Sequence, residues 1–419
     1  MTVDCEIRYD GNPEGIFFVG QTVTGTAVLQ LSETETVNGV SVKIEGFTAV
    51  NWRGKRHPHG HKHNRLFSGS EEHLSALTYV VGGPQGPVLE IPPGSHTFKF
   101  ACPLAATLPT SFEGQYGHVR YTITVVVERP SRQNTSYREG FTVLRQVNLN
   151  EHPSLWEAKK LELSKQFGWW IFKSDPLDIS VEVPSTGYVP GQHIPVLVQW
   201  DNGSSALING IRIKLFKNET YSATDPFEKS RTDTTCIAKI ENRDAHAQGR
   251  IRFERNLAIP STPPSTVSPM ITISYELVVY IHISSGEIPE FTVPITIGTI
   301  PLSGLPPIRR PENPSDRPSA DQPPSYGFKL DGMPSDYPPS KSGAPSTSQT
   351  TASGPTPVAP MASAAEELPP PSYEEAMNTT PTNSQQDDDE SATQWNGCKP
   401  FIPKYPVYKF DGPGGSGQQ

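Results

Sequence analysis

Residues 19–31 read VGQTVTGTAVLQL and residues 38–47 read NGVSVKIEGF; residues 190–200 read PGQHIPVLVQW and residues 209–216 read NGIRIKLF. Gly20 to Gly191 is a step of 171 residues, and Asn38 to Asn209 is the same step. A shared Gly-Gln opening and a shared Asn-Gly opening in identical register mark an internal repeat. Further on, Tyr121-Thr-Ile-Thr-Val matches Tyr275-Glu-Leu-Val-Val at a step of 154, so the first copy holds 17 extra residues. The polar stretch Arg53–His73 is the expected site of that surplus. Gly20, Gly39, Gly191 and Gly210 stand where strands begin, and turn chemistry predicts positive φ there, which glycine adopts cheaply.

Working outward, apolar residues alternate with polar ones in short runs separated by Gly, Pro and Asn. Tyr121, Ile123, Val125 and Val127 fall on one side of a strand, with Thr122 and Thr124 on the other. Ile271, Ile273, Tyr275, Leu277, Val279 and Ile281 share a face in the same way. Helical periodicity is nearly absent; the one candidate, around Leu155–Leu163, is short. The pattern predicts an all-β chain, with sandwiches as its architecture.

Composition divides the chain. It has 419 residues and 44 prolines, 22 of them from Gly304 onward. That stretch is rich in Ser, Thr, Gly and Gln and poor in aliphatic residues. It cannot bury enough apolar surface to offset the entropy of ordering, so residues 304–419 are predicted to be a disordered tail. Residues 1–303 are the folded part. Net charge is −9, with no global basic field to attract nucleic acid. The start, MTVDCEIRYDGN, has neither a basic region nor an apolar run, so no signal peptide is expected. No run approaches the ~18 apolar residues a membrane span requires. Cys5, Cys102, Cys236 and Cys398 are scattered without framework spacing, which predicts reduced thiols in a cytoplasmic protein.

The tail carries PPSY twice, as Pro323-Pro324-Ser325-Tyr326 and Pro370-Pro371-Ser372-Tyr373. Consecutive prolines pre-set a polyproline II helix, so little entropy is lost on docking. The pyrrolidine rings then pack on an aromatic groove, as in WW-domain recognition. Tyrosine comes round the three-residue turn and supplies an anchor with a hydroxyl at its end. One such motif in a proline-rich tail is easily accidental; two copies with the same serine are not. Tyr326 and Tyr373 are 47 residues apart, which a flexible chain spans by roughly 35–40 Å. That reach suits a partner with more than one WW domain.

The segments LPTSFEGQYGHVRYTITVVVERP, GYVPGQHIPVLVQWDNGSS and STVSPMITISYELVVYI closely resemble the α-arrestins, or arrestin-domain-containing proteins. The resemblance covers roughly residues 5–303. It implies two arrestin-type β-sandwiches in tandem: an N-domain over 1–150, a connector over 151–173 and a C-domain over 174–303. It also implies that the PPxY motifs recruit HECT-type ubiquitin ligases with tandem WW domains. The body would then recognise cytoplasmic regions of membrane receptors or transporters. Peripheral recruitment to plasma membrane and endosomes follows, with cargo ubiquitination, endocytosis and sorting as the outcome. Two alternatives remain open: a ligase-independent trafficking scaffold of the retromer-subunit type, and a thioredoxin-binding redox regulator.

Other features are weighed beside these. His57, His59, His61 and His63 alternate as HPHGHKH, with His73 nearby; spaced imidazoles bind zinc or copper. Pro58 and Gly60 instead suggest a solvated loop, and no metal or other cofactor is expected. Cys236, in TTCIAKI, reads as a buried strand cysteine rather than a reactive thiol. Cys398 has no lipidation context. Trp169 and Trp170 in the connector are expected to pack between the sandwiches rather than touch a membrane. Pro318-Ser319-Ala320-Asp321 falls one residue short of the PSAP motif of one family branch, so no link to vesicle budding is expected. The closing segment FIPKYPVYKF is the most apolar part of the tail and is a candidate to add to the body, as the C-tails of other arrestins do. Its prolines argue against a strand. No His-Ser-Asp, paired-carboxylate or phosphate-cradle pattern is present, and the chain is not expected to be an enzyme.

Overall fold

The computed structural model describes residues 3–54, 65–167, 175–242, 249–284, 286, 289–303, 394–395 and 401–408. The first half runs β1 (Val3–Tyr9), β2 (Ile16–Phe18), β3 (Thr22–Leu31), β4 (Glu35–Val37), β5 (Gly39–Arg53), β6 (Leu66–Gly82), β7 (Leu89–Ile91), β8 (Gly94–Pro103), β9 (Phe112–Glu113), β10 (Gly117–Glu128) and β11 (Thr135–Leu144). One sheet has the order β1-β3-β8; the other has the order β2-β11-β10-β5-β6, with β9 on β10. A small ribbon, β4-β7, sits beside them.

The second half runs β12 (Lys159–Lys165), β13 (Leu177–Val183), β14 (Gly187–Tyr188), β15 (His193–Asn202), β16 (Ile208–Ala223), β17 (Lys229–Asn242), β18 (Gly249–Ala258), β19 (Ile271–Ile283) and β20 (Glu290–Ile297). Its sheets are β12-β13-β15-β18 and β14-β20-β19-β16-β17. The two-sandwich expectation holds. Among the described residues, no helix is long and apolar enough to cross a membrane.

The repeat is written into the hydrogen bonds. Strands β3 and β15 begin and end 171 residues apart, and β10 and β19 begin 154 apart. The amide of Phe18 donates to Gln21 Oε1 at 2.8 Å, and that of Val189 to Gln192 Oε1 at 2.7 Å. The glutamine of each Gly-Gln pair therefore closes its own turn, a role the sequence reading left unassigned. Gly20 and Gly191 have φ of 84° and 89°, as expected. Gly39 and Gly210 do not adopt positive φ. A Cβ on Gly39 would meet the Val81 carbonyl oxygen at 2.9 Å, so close approach of β6 explains that glycine. Gly210 lies at a break in register between β16 and β19.

Tyr121, Ile123, Val125 and Val127 are fully buried, and so are the expected partners on β19. Thr122 and Thr124 are buried as well, because β10 lies between β5 and β11 and Arg138 of β11 reaches over to Thr124. Tyr121 Oη donates to the Pro109 carbonyl at 2.7 Å, and Tyr275 Oη to the Pro263 carbonyl at 2.5 Å. Both bonds tie a strand to the loop twelve residues before it. Replacing either tyrosine by Phe leaves its carbonyl, half-buried at Pro109 and buried at Pro263, short of a donor and is expected to cost about 1–2 kcal/mol. Urea unfolding should show a lower midpoint at an unchanged slope; an unmoved midpoint in both variants would show these bonds to be unimportant.

The connector departs from expectation in one respect. In place of a helix near Leu155–Leu163, a single 3-10 turn at Pro153–Trp156 leads into β12, an edge strand of the second sandwich. The stretch Lys159–Lys165 alternates two apolar residues with polar ones, and β13 captures it at full length. Trp169 and Trp170 lie outside the described residues. So do His57, His59, His61 and His63, whereas the flanks of Arg53–His73 are strand. His73 is in β6, with Nε2 2.6 Å from Thr48 Oγ1.

Candidate functional site

Pro323, Pro324, Tyr326, Pro370, Pro371 and Tyr373 lie outside the described residues. What the structure does describe is the seam between the sandwiches and a segment from the chain's end that crosses it.

On one side of the seam, aromatic rings from each half interleave. Tyr221 of β16 lies between Phe112 and Tyr116, with ring centroids 6.4 and 5.6 Å away. A Cβ on Gly114 would fall 2.1 Å from Tyr221 Oη, so only glycine admits the ring there. Arg231 of β17 covers the Tyr116 ring at 3.7 Å. Phe67 of β6 meets Phe227 edge-on at 5.3 Å, and the backbones of Ser68 and Asp225 exchange hydrogen bonds of 3.0 and 2.9 Å. Buried apolar residues of both sandwiches form one connected cluster. Burial, then Glu219, pushes the Tyr221 phenol well above its ordinary range, and its hydroxyl donates to Glu219 Oε2 at 2.6 Å.

Elsewhere along the seam, residues 147–150 bind the stretch that follows β20. Val147 and Thr299 bond reciprocally, and Asn150 reaches the Pro301 carbonyl at 2.8 Å and the Ser303 amide at 2.8 Å. Leu149, Val189 and Leu302 make a small separate cluster there, and its fourth member is Tyr408.

Tyr408 belongs to the closing segment. First β21 (Gln394–Trp395) pairs in parallel with Thr135 and Ser136 of β11. Residues 401–408 then continue along β11 and pass to the second sandwich. Phe401 lies against Gly140; the Lys404 amide donates to Thr142 Oγ1 at 3.3 Å, and its ammonium pairs with Glu14. Tyr405 Oη donates to the Ser111 carbonyl at 3.1 Å, while Ser261 Oγ donates to the Tyr405 carbonyl at 3.4 Å. Tyr408 donates from its amide to Pro190 at 3.0 Å and from its hydroxyl to Thr299 at 2.6 Å. Burial, then Tyr275, Glu113 and Glu219, holds the Tyr405 phenol protonated well above its ordinary range.

These residues are the exception to the expectation for the tail. The prolines argued against a strand, and residues 401–408 indeed make no continuous ladder. They dock through side chains and isolated backbone bonds, with Pro403 and Pro406 buried. The alternation of aromatic residues with three-spaced prolines was the available signal.

Cys236 is a correction. It is exposed on β17 rather than buried, with Sγ 3.4 Å from the Ala238 carbonyl. The buried assignment rested on its apolar neighbours in TTCIAKI, but β17 is the edge of its sheet and Cys236 sits beside a register break, where those neighbours leave it uncovered.

Comparison with known proteins bears on this arrangement. The arrestin (or S-antigen) N-terminal domain matches residues 5–150, and the arrestin C-terminal domain matches residues 173–302. The chain is 30% identical over 304 residues to arrestin domain-containing protein 4 of Mus musculus, covering 71% of this chain and 72% of that protein. It is 25% identical over 306 residues to arrestin domain-containing protein 17 of Caenorhabditis elegans, covering 69% of each. Arrestin domain-containing protein 1 of Homo sapiens is 28% identical over 227 residues, covering 53% of this chain and 50% of that protein. Both domain matches fall in the order and near the boundaries of the two sandwiches, so this chain belongs to the arrestin family, in its α-arrestin or arrestin-domain-containing branch.

Proposed function

We propose that the chain is a non-enzymatic adaptor that brings WW-domain HECT-type ubiquitin ligases to membrane-protein cargo. The observation that carries this reading is the pair of PPSY motifs, ending at Tyr326 and Tyr373, downstream of an arrestin body. The body holds a cytoplasmic region of a receptor or transporter, and the motifs hold the ligase. Proximity raises the rate of ubiquitin transfer to cargo lysines, because a bimolecular encounter becomes an intramolecular one. The reactive thioester belongs to the ligase. Recruitment to plasma membrane and endosomes then follows from the cargo, from an otherwise cytoplasmic pool.

The test is a pulldown of ubiquitin ligases from cell lysate with the wild-type chain and with Tyr326→Ala/Tyr373→Ala. The expected result is capture of a HECT ligase with tandem WW domains by the wild type and none by the double variant. Equal capture by both, or none by either, would move the function to the body and favour a ligase-independent trafficking scaffold.

A further inference from the structure

Strand β6 ends its sheet, since the order β2-β11-β10-β5-β6 gives it β5 as its one sheet neighbour. An end strand displays unpaired backbone groups, and proteins guard such edges with charge. The other end strands longer than three residues follow that rule. Among the described strands, β1, β8, β12, β17 and β18 never run more than five residues without Asp, Glu, Lys or Arg. β6 does not follow it. Its second half, Leu74–Gly82, reads LSALTYVVG, nine residues without a charge and rich in β-formers. Within it, Leu77 is 56% exposed.

The direction of the free backbone groups follows from the register. The Asn51 amide donates to the Tyr116 carbonyl at 2.8 Å, so odd-numbered residues of β5 turn their backbone bonds toward β10. Glu45, Lys43 and Ser41 share that orientation, and their partners on β6 are Ser75, Leu77 and Tyr79. In an antiparallel pair these partners turn N–H and C=O to the far edge. No hydrogen bond reaches those groups among the described residues. Nearer its start the same edge is in use. Ser68 exchanges bonds of 3.0 and 2.9 Å with Asp225 across an isolated antiparallel bridge. The edge therefore takes an antiparallel partner where one is at hand, and from Ser75 to Tyr79 it is free to take another.

We propose that this edge pairs with the same edge of a second copy of the chain, antiparallel and about a two-fold axis at Leu77. An isologous contact requires each residue to suit the one its own symmetry places opposite. This stretch meets that requirement. Leu77 faces the partner's Leu77, and Ser75 faces the partner's Tyr79. These pairs each exchange two backbone bonds, about six in all. Glu71 and Glu72 fall opposite the partner's Gly83 and the partner's Gly82, so no carboxylates oppose each other. The Tyr79 ring is already held, because its hydroxyl donates to Glu128 Oε1 at 2.9 Å. A charged strand from elsewhere finds no counter-ion along these nine residues, whereas the uncharged copy needs none. The product is one continuous sheet running through the first sandwich of each copy.

The test is sedimentation equilibrium of the full chain over the micromolar range, where small interfaces associate. Wild type is expected to form dimers. Leu77→Lys and Leu77→Glu each set like charges face to face at the axis, and each is expected to weaken association at least about tenfold. An equimolar mixture of the two is expected to recover it, because lysine then faces glutamate. Leu77→Pro removes the outward N–H and spares the bonds to β5, so it is expected to abolish dimers as well. Leu77 is exposed, so urea midpoints of all three variants should stay near that of wild type. A monomeric wild type, dimers unmoved by any one of these substitutions, or a mixture no better than its components would each overturn the proposal.

Discussion

Arg129→Ala is expected to lower the stability of the first sandwich by about 3–5 kcal/mol, the cost of leaving a buried charge without its partner. Arg129 Nε donates to Glu35 Oε1 at 2.6 Å, and the side chains are only 10% and 3% exposed. The same guanidinium donates to the Gln133 carbonyl at 3.1 Å and to Thr135 Oγ1. Glu35 is at the start of β4, and its Oε2 is buried without a hydrogen-bond partner. The arginine therefore supplies most of what the carboxylate receives, and it joins the β4–β7 ribbon to the β10–β11 turn. Removing both charges with Arg129→Ala/Glu35→Leu should recover a large part of the loss, since an apolar replacement leaves no orphaned ion. Arg8→Ala is the control: the Arg8–Glu6 pair is 64% and 61% exposed, so solvent screening leaves it little influence. Urea midpoints at constant slope measure all three. An Arg129→Ala midpoint as close to wild type as that of Arg8→Ala would show the buried pair to be dispensable.

The same logic of local pattern against tertiary context explains what the sequence disclosed. Steps of 171 and 154 residues located β3 with β15 and β10 with β19, because each pair faces the same neighbours and keeps the same period of two. Gly20 and Gly191 were legible as turn glycines, since turn chemistry is local. Gly39 was misread because its reason is the approach of β6, a strand some forty residues away in the chain. β12 was missed because a two-residue apolar alternation is too weak to identify an edge strand until β13 is beside it. Cys236 was assigned to the core from its apolar neighbours in TTCIAKI, yet Ile237, Ala238 and Ile240 are themselves only half-buried on an edge strand.

The closing segment shows the limit most clearly. Period and propensity test whether a stretch can join a ladder, and on that criterion Pro403 and Pro406 count against FIPKYPVYKF. Docking of an already extended chain needs only a groove, side-chain anchors and a few isolated bonds. The residues that receive it (Glu14, Ser111, Gly140, Val189–Gly191, Thr299) come from five distant stretches of the chain. The PPSY motifs are the reverse case. Their chemistry is contained in four consecutive residues, so the sequence alone is enough to propose them, and they lie outside the described residues between Ser303 and β21.

That arrangement bears on the second large effect. A protein with two WW domains should lose about tenfold to a hundredfold in affinity on Tyr326→Ala or Tyr373→Ala alone, and all detectable binding when both are replaced. The reason is arithmetic. Once one motif is bound, the other is 47 residues away, a reach of roughly 35–40 Å for a chain of this composition. It meets the second domain at an effective concentration on the order of mM, which multiplies affinity without any new contact. For an isolated WW domain each single substitution removes one of two independent sites, and apparent affinity should fall by only about twofold. The discriminating measurement is calorimetric titration of the full-length wild type and both single variants with one-domain and two-domain WW proteins. If the single variants lose the same factor against both proteins, the motifs act independently and bivalent capture is wrong. If one variant abolishes binding and the other changes nothing, a single PPSY carries the interaction and the second is a product of composition.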